Sequence, residues 1–99
     1  MPVYISLIKW TEQGAKDAKN AVTRAEQGRA AVEQAGGRYI GNWWTQGAYD
    51  AVLVVEWPDD ETASAAALNL GMAGNARTET MRAYGTEEMQ RILQKLPVS

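Results

Sequence analysis

Three short polar motifs contain the side chains that could bind a ligand or take part in a reaction. They are KWTEQG at 9–14, GAYD at 47–50 and GNARTET at 74–80. The candidate ligand-binding residues in or beside these motifs are Trp10, Thr11, Trp44, Tyr49, Asp50, Asn75 and Arg77. In a chemical role, Asp50 would be a catalytic carboxylate and Tyr49 an acid or a hydrogen-bond donor. Arg77 would then form an acid–base couple with Glu79.

The residues of the GAYD motif also have structural interpretations, which we favour. Gly47 is expected to be a turn glycine with positive φ. Asp50 is expected to point toward the first helix and to accept hydrogen bonds from the free amides near 11–14. Tyr49, together with Trp44, is expected to line an interface or a barrel rather than to act in catalysis.

Charged residues outside the GAYD motif are explained in the same way. Arg77 and Glu79 share one face of a predicted strand, where an ion pair is a commoner arrangement than an acid–base couple. The three consecutive acids at 59–61 precede a predicted helix. Acidic residues at the start of a helix stabilise its dipole. We therefore predict no metal site.

The residue types that the chain lacks narrow its chemistry. Its 99 residues include no cysteine and no histidine. This composition excludes disulfides, thiol nucleophiles, Cys/His zinc sites and the usual proximal haem ligand. We expect no cofactor, so any catalysis would use carboxylates, amines, tyrosine, hydroxyls or backbone amides.

The charge and hydropathy of the chain give no sign of nucleic acid or membrane as a partner. The chain has 10 basic and 12 acidic side chains, for a net charge of −2, and no Lys/Arg run. Nucleic-acid binding is therefore not expected. No apolar run approaches the roughly 20 residues of a membrane span, and no signal peptide is visible. We expect a cytoplasmic protein.

Hydrophobic patterning predicts strands over 2–10, 38–45, 48–57 and 76–84. A first helix is expected between its N-cap Thr11 and the glycines that begin at Gly36. A second, Ala-rich helix over 61–72 should end near Gly71 or Gly74. Thr86 should cap a terminal helix whose apolar residues recur at helical spacing. These residues are Met89, Ile92, Leu93 and Leu96.

The elements follow the order β-α-β-β-α-β, with an additional terminal helix. Two right-handed β-α-β crossovers joined by a hairpin give an antiparallel sheet with both helices on one face. We therefore predict a single domain over residues 1–99 in the α+β class. Its architecture would be a ferredoxin-like sandwich with a C-terminal helix.

The hairpin sequence predicts a register and an assignment of side chains to the two faces of the sheet. A two-residue loop at Gln46-Gly47 would give these pairs: Trp44 with Tyr49, Asn42 with Ala51, and Ile40 with Leu53. Side-chain alternation then gathers most of the aromatic residues on one face. That face would comprise Tyr4, Ile8, Trp10, Trp44, Tyr49, Ala51, Leu53, Val55 and Trp57.

The predicted aromatic face would need a cover, because the Ala-rich helices are assigned to the opposite face. An exposed aromatic surface of this size marks an interaction site. A second copy of the chain, packed sheet against sheet in a two-fold homodimer, would cover it. The alternative is that the terminal helix folds back over this face within one chain.

Long stretches of the chain resemble the GYD domain family, small bacterial and archaeal proteins named for a Gly-x-Tyr-Asp motif. The resemblance runs from MPVYISLIKWTEQG through Arg24 and AGGRYIGNWWTQGAYDAVLVVEWPDDETA to GNARTETMRAY. The family is grouped with the dimeric α/β-barrel proteins, so the resemblance implies a ferredoxin-like dimer. Related cofactor-free monooxygenases, haem-degrading enzymes and small isomerases hold a pocket between sheet and helices. Many of those enzymes use a histidine, which this chain lacks.

Two classes of function follow from the sequence. The first is a homo-oligomeric module that binds a small ligand or serves assembly. The alternative is a cofactor-independent enzyme, similar to monooxygenases or isomerases, that acts on a small aromatic or carbonyl metabolite. Its site would lie near Trp10, Tyr49, Asp50 and Arg77. A partly polar enclosed cavity holding Asp50 or Tyr49 would favour ligand chemistry, and a closed apolar interface would favour assembly.

Overall fold

A computed structural model of the chain describes residues 1–98. Its four strands are β1 (Val3–Trp10), β2 (Arg38–Trp44), β3 (Ala51–Glu56) and β4 (Ala76–Ala83). Its helices are α1 (Glu12–Lys16), α2 (Ala21–Gln34), α3 (Asp60–Ala73) and α4 (Thr86–Gln94), with a short 3₁₀ turn at Ala18–Asn20. The strands form one antiparallel sheet in the order β2-β3-β1-β4. The predicted ferredoxin-like α+β fold is confirmed.

The predicted first helix is interrupted at Asp17, where α1 ends and the 3₁₀ turn begins. The Asp17 backbone leaves the helical region, with φ −101° and ψ 22°. Its carboxylate accepts a hydrogen bond of 2.6 Å from the Asn20 side chain and forms an ion pair with Arg24. Aspartate side chains compete in this way with helical hydrogen bonding, so a continuous helix was a wrong prediction here.

The hairpin between β2 and β3 is longer than the sequence suggested. Trp44 pairs with Ala51 and Asn42 with Leu53, so the two-residue loop and its register are wrong. The loop is closed instead by Thr45, whose N–H donates to the Asp50 carbonyl at 2.9 Å. Gly47 lies within this loop at φ +100°, which confirms its predicted positive φ.

The observed pairing of β2 with β3 is shifted by two residues from the predicted one, and a shift by an even number leaves each side chain on the same face. The predicted grouping of Ala51, Leu53 and Val55 on one face is therefore confirmed. The assignment of that face is wrong, however. Ala51 and Val55 are buried, and Val55 packs in one cluster with Val32 of α2 and Ala63 of α3. The helices therefore cover the face that was assigned to a partner.

The helices cover the face with the larger strand side chains because their own side chains are small. Helix α3 offers mainly alanine to the sheet, and such a surface fills little volume by itself. Large side chains from the strands therefore fill the space between the layers. The buried residues of the sheet and of the segment after it that do so include Tyr4, Ile8, Val55 and Trp57.

The opposite side of the sheet, which we call the open sheet face, has no helix on it. Its apolar residues follow from the strand registers and are Val3, Ile5, Leu7, Trp43, Val52, Val54 and Met81. Trp43 is 54% exposed. Its indole lies over Gly41, where an added Cβ would stand 2.5 Å from the ring. The glycine thus leaves room for the indole to lie close to the β2 backbone.

The terminal helix α4 does not fold back over the open sheet face. Met89 and Leu93 on its apolar side are 45% and 51% exposed, and Met81 on the sheet remains 44% exposed. The alternative in which the chain covers its own sheet is therefore wrong. Among the helices of residues 1–98, none is long and apolar enough to cross a membrane.

Candidate functional site

The three polar motifs meet at one end of the sheet, where β1 ends and β3 and β4 begin. Trp10 pairs with Ala76 at the start of β4. The Asp50 amide, just before β3, donates to the Ile8 carbonyl at 2.8 Å. The antiparallel topology thus gathers the motifs at a single edge of the sheet, which we call the motif edge.

Thr11 connects two chain turns at the motif edge. Its hydroxyl accepts a hydrogen bond from the Gly14 N–H at 3.1 Å, which makes it the N-cap of α1 as predicted. The same hydroxyl donates to the Gly74 carbonyl at 2.6 Å, and the Thr11 N–H donates to the Asn75 carbonyl at 3.1 Å. The start of α1 is therefore hydrogen-bonded to the turn between α3 and β4.

Asn75 is held by its own contacts with α1. Its side-chain oxygen accepts a hydrogen bond from Gln13 at 2.9 Å. Gly14 approaches the Asn75 carbonyl so closely that an added Cβ would lie 1.9 Å from the oxygen. The polar groups of Thr11 and Asn75 are thus engaged with neighbouring chain segments, and glycine is required at position 14.

Asp50 caps a strand rather than a helix. Its carboxylate accepts a hydrogen bond of 2.8 Å from the Trp10 backbone N–H. We expected Asp50 to accept hydrogen bonds from the backbone amides near 11–14. The observed donor is one residue earlier, and the Gly14 amide at the helix start is bonded by the Thr11 side chain instead. The Trp10 indole packs beside the buried residues Ile8 and Ala51. One carboxylate oxygen of Asp50 and the Trp10 ring are thus both engaged in holding the motif edge together.

Tyr49 crosses from the hairpin loop to the far side of β1. Its hydroxyl donates a hydrogen bond of 2.8 Å to the Glu79 carboxylate, and the Lys9 ammonium stands 5.7 Å from the centre of its ring. The bond to Glu79 raises the pKa of the Tyr49 phenol above its ordinary value. Trp44 pairs with Ala51 on the helix-covered face, so Tyr49 and Trp44 do not line a common surface.

Arg77 lies directly across from Lys9 on the open sheet face. The predicted ion pair between Arg77 and Glu79 is absent, and in residues 1–98 no ion pair involves Arg77. Residues two apart on a strand stand roughly 6–7 Å apart along it, and Glu79 is engaged by Tyr49 instead. Two cations thus stand side by side at this end of the face.

A cavity of about 40 Å³ lies between the sheet and α3. Its lining includes the hydroxyl-bearing residues Tyr4, Ser6, Thr78 and Thr80, with Trp57 and alanines of α3 as apolar walls. Ser6 and Thr80 share a hydrogen bond of 2.8 Å. Such a volume holds a few waters at most. None of the predicted site residues lines this cavity, and no pattern in the sequence singled out Ser6, Thr78 or Thr80.

Asp60, at the start of α3, borders this region and accepts a hydrogen bond from the Tyr4 hydroxyl. That bond raises the pKa of the Tyr4 phenol. Asp59 is the N-cap of α3 and accepts from the Thr62 N–H at 2.7 Å, which lowers the pKa of its carboxyl. Asp59 thus caps the helix and Asp60 binds Tyr4. Among residues 1–98, no three His, Cys, Asp or Glu side chains are grouped so that they could hold a metal ion.

The topology and the packed face define a ferredoxin-like α+β protein. Within that class, the chain belongs to the GYD domain family, whose family model matches residues 4–93. The matched range includes the whole sheet except Val3, and all three polar motifs. No curated protein and no solved structure matches the chain.

Proposed function

We propose that this protein is an assembly module that forms a homodimer through its open sheet face. The observation that carries the proposal is the exposure of that face. Ile5, Leu7, Val52 and Val54 lie in the middle of the sheet, yet they are only partly buried because nothing from residues 1–98 packs on them. Contiguous apolar surface of this kind is characteristic of interaction sites.

Trp43 provides the anchor of this surface. Its ring contacts the backbone at Gly41, so part of its freedom is already restricted before a partner binds. Preorganised aromatic residues are frequent hot spots of protein interfaces. An apolar strand surface with such an anchor favours a protein partner over a small polar ligand.

A second copy of the chain is the partner that fits the pattern of this face. A two-fold interface brings the same surface of both subunits together, so an apolar sheet face can meet an identical one. Sheets packed in this way lie about 10 Å apart, with their side chains interdigitating. Lys9 and Arg77 stand at one end of the face and Glu79 lies on the edge strand β4, positions at which charged residues can remain at the rim of the contact.

Adjacent tryptophans offer a matched test of this proposal. Trp43 belongs to the open sheet face, whereas Trp44 is 45% exposed on the opposite face. We expect Trp43→Glu to give a monomer and Trp44→Glu to leave the dimer intact, as measured by size-exclusion chromatography with light scattering. A dimer that survives Trp43→Glu, or a wild-type chain that is monomeric at all concentrations, contradicts the proposal.

A second candidate function is the binding of a small ligand between the sheet and α3. It is favoured by the hydroxyls of Ser6, Thr78 and Thr80 in the cavity there. Because the cavity has only about 40 Å³, a ligand would require α3 to move outward. NMR titration with small aromatic alcohols tests this function. Saturable shifts at these three residues support it, and shifts confined to the surface contradict it.

An enzymatic role receives less support from the geometry. The Asp50 carboxylate is bonded to a backbone amide, and the Tyr49 hydroxyl is bonded to Glu79. Neither lines the cavity between the sheet and α3. A cofactor-independent enzyme would need these groups to reach a common pocket, so we rank this function below assembly and ligand binding.

A further inference from the structure

Helix α4 presents an uncovered apolar side. Met89 and Leu93 on this side are 45% and 51% exposed, and Leu96, two residues after the helix ends, is 61% exposed. Between Tyr84 and this side of the helix runs a groove of about 350 Å³, which we call the α4 groove. Its lining comprises Tyr84, Gly85, Thr86, Met89, Gln90 and Leu93.

The position of α4 is fixed by contacts at its first turn. The Arg82 guanidinium forms an ion pair of 2.6 Å with Glu88. It also stands 4.7 Å from the centre of the Tyr84 ring and 5.8 Å from that of Tyr4. Arg82 thus links α4 to the end of the sheet. The helix is held in place while its apolar side remains open.

A helix of this length needs a partner surface. Isolated helices shorter than about 12–15 residues are marginal in water, and α4 has nine residues. The charged residues of α4 and its C-cap are of both signs, unlike the basic polar face of helices that lie on membranes. They are Glu87, Glu88, Arg91 and Lys95. A protein surface is therefore the better match for its apolar side.

The size of the open sheet face points to the same need. Strands about 4.8 Å apart and up to eight residues long give the four-stranded face a projected area of roughly 500 Å². Stable interfaces bury about 800 Å² of accessible surface on each partner. One side of a nine-residue helix adds roughly 130 Å² of projected area. Including α4 enlarges the projected contact by roughly a quarter.

We propose that α4 is a dimerisation arm, which packs Met89 and Leu93, together with Leu96 just beyond its end, on a second copy of the chain. This inference rests on the proposed homodimer and adds a second contact to it. In a two-fold dimer the arms are exchanged as a pair, so each copy gives one arm and receives one. The α4 groove then receives side chains of the partner.

Two adjacent positions on α4 provide the test. Leu93→Glu places a carboxylate on the apolar side, and Gln94→Glu places the same group on the polar side one residue later. By sedimentation of the full chain, we expect Leu93→Glu to raise the dimer dissociation constant by at least roughly tenfold, because a charge would be buried. Gln94→Glu should leave it within about twofold. Equal dissociation constants for both variants overturn the proposal.

Comparison with Trp43→Glu separates this inference from the proposed function. If Trp43→Glu abolishes the dimer and Leu93→Glu leaves it unchanged, the sheet-face dimer stands and the arm is refuted. If only Leu93→Glu has an effect, the arm stands and pairing through the sheet face is refuted. We expect both substitutions to weaken the dimer.

Hydrogen exchange identifies whether the partner is a second copy. The amides of 86–94 should be protected at protein concentrations above the dimer dissociation constant and should exchange rapidly below it. Equal protection at both concentrations would mean that α4 is covered within its own chain. Rapid exchange at both would mean that nothing covers it. Either result overturns the proposal.

Discussion

The Tyr49 hydroxyl and the Glu79 carboxylate are joined by a hydrogen bond of 2.8 Å across 30 residues of sequence. Tyr49 belongs to the loop between β2 and β3, and Glu79 lies on β4 at the other edge of the sheet. The phenol therefore spans β1 and fixes the hairpin loop to the far strand. This relationship gives the tyrosine of the GAYD motif a structural role.

We predict that Glu79→Gln lowers the pKa of Tyr49. The Glu79 carboxylate accepts a hydrogen bond from the neutral phenol and repels the negative charge of the ionised phenol. Removing the charge of Glu79 should therefore bring the pKa of Tyr49 back toward its ordinary value. Tyrosinate absorbance measured between pH 9 and about 12 should show one of the four tyrosines titrating earlier. Glu26→Gln, on the exposed surface of α2, is the control and should leave the titration unchanged.

The sign of the corresponding stability effect follows from the raised pKa. A folded-state pKa above the unfolded value contributes stability that is present below the unfolded value of 10.0 and is lost as the pH rises through the folded value. Tyr49→Phe should remove part of the alkaline loss of melting temperature. An alkaline profile identical to that of the wild type contradicts a role for this bond.

We predict that Asp50→Ala lowers the free energy of unfolding by about 1–2 kcal/mol, because the Trp10 N–H loses its acceptor. Asp50→Asn should cost less, since an amide oxygen can still accept this bond. Thermal denaturation measures both variants. If Asp50→Asn and Asp50→Ala are equally destabilised, the account of Asp50 as a hydrogen-bond acceptor fails.

We predict opposite effects for two glycine substitutions. Gly14→Ala should destabilise the fold by about 2 kcal/mol or more, because the new Cβ would lie 1.9 Å from the Asn75 carbonyl oxygen and both are backbone-anchored. Gly28→Ala, in α2 with open space around it, should stabilise by about 0.5–1 kcal/mol. Chemical denaturation compares them. A neutral Gly14→Ala would contradict the close contact between α1 and the turn before β4.

Acid should weaken the fold through Asp17 and Asp59. The hydrogen bond from Asn20, followed by the contacts with Arg24, lowers the pKa of Asp17, and the Thr62 amide lowers that of Asp59. Lowered folded pKa values stabilise the fold above the unfolded value of 3.8, and this stability is lost as the pH falls through the folded values.

The melting temperature should therefore fall as the pH is lowered from about 5 to about 2. Asp59→Asn keeps an N-cap oxygen but cannot titrate, so its profile should be flatter than that of the wild type. Glu12→Gln changes an exposed carboxylate in α1 and serves as the control. A profile for Asp59→Asn as steep as that of the wild type would refute this assignment.

Local patterns in the sequence were sufficient for the order of the strands and for two of the helix caps, Thr11 and Gly74. The prediction that Thr86 caps the terminal helix is wrong, because Thr86 is the first residue of α4 and the N-cap position is held by Gly85, which has no side chain to accept a hydrogen bond. Thr11 as the N-cap of α1 and Gly47 with positive φ both follow from the immediate neighbours of those residues.

The assignment of the two sheet faces was not accessible in this way, because both faces of β1 and β3 are apolar. Only the packing of large strand residues such as Val55 against Ala63 decides which face the helices cover.

The candidate site was predictable in its location and less so in its contacts. Strand order determines where strand ends meet, so the ferredoxin-like topology brings the three motifs to one edge of the sheet. The donor to Asp50 was missed by one residue, since the Thr11 side chain had already satisfied the helix start. The bond between Tyr49 and Glu79 depends on a loop conformation that no periodicity reveals.

The central claim is that two copies of the chain pair through their open sheet faces, with the helices outside. Because the chain has no cysteine, Ser64→Cys on the exposed side of α3 allows a single nitroxide label on each copy. Pulsed electron paramagnetic resonance then measures the distance between the two labels. Two sheets about 10 Å apart, each with a helix layer about 10 Å thick outside it, predict a separation of roughly 30 Å or more. A separation below roughly 20 Å, which would place the helix layers in contact, or no coupling between labels would contradict the claim.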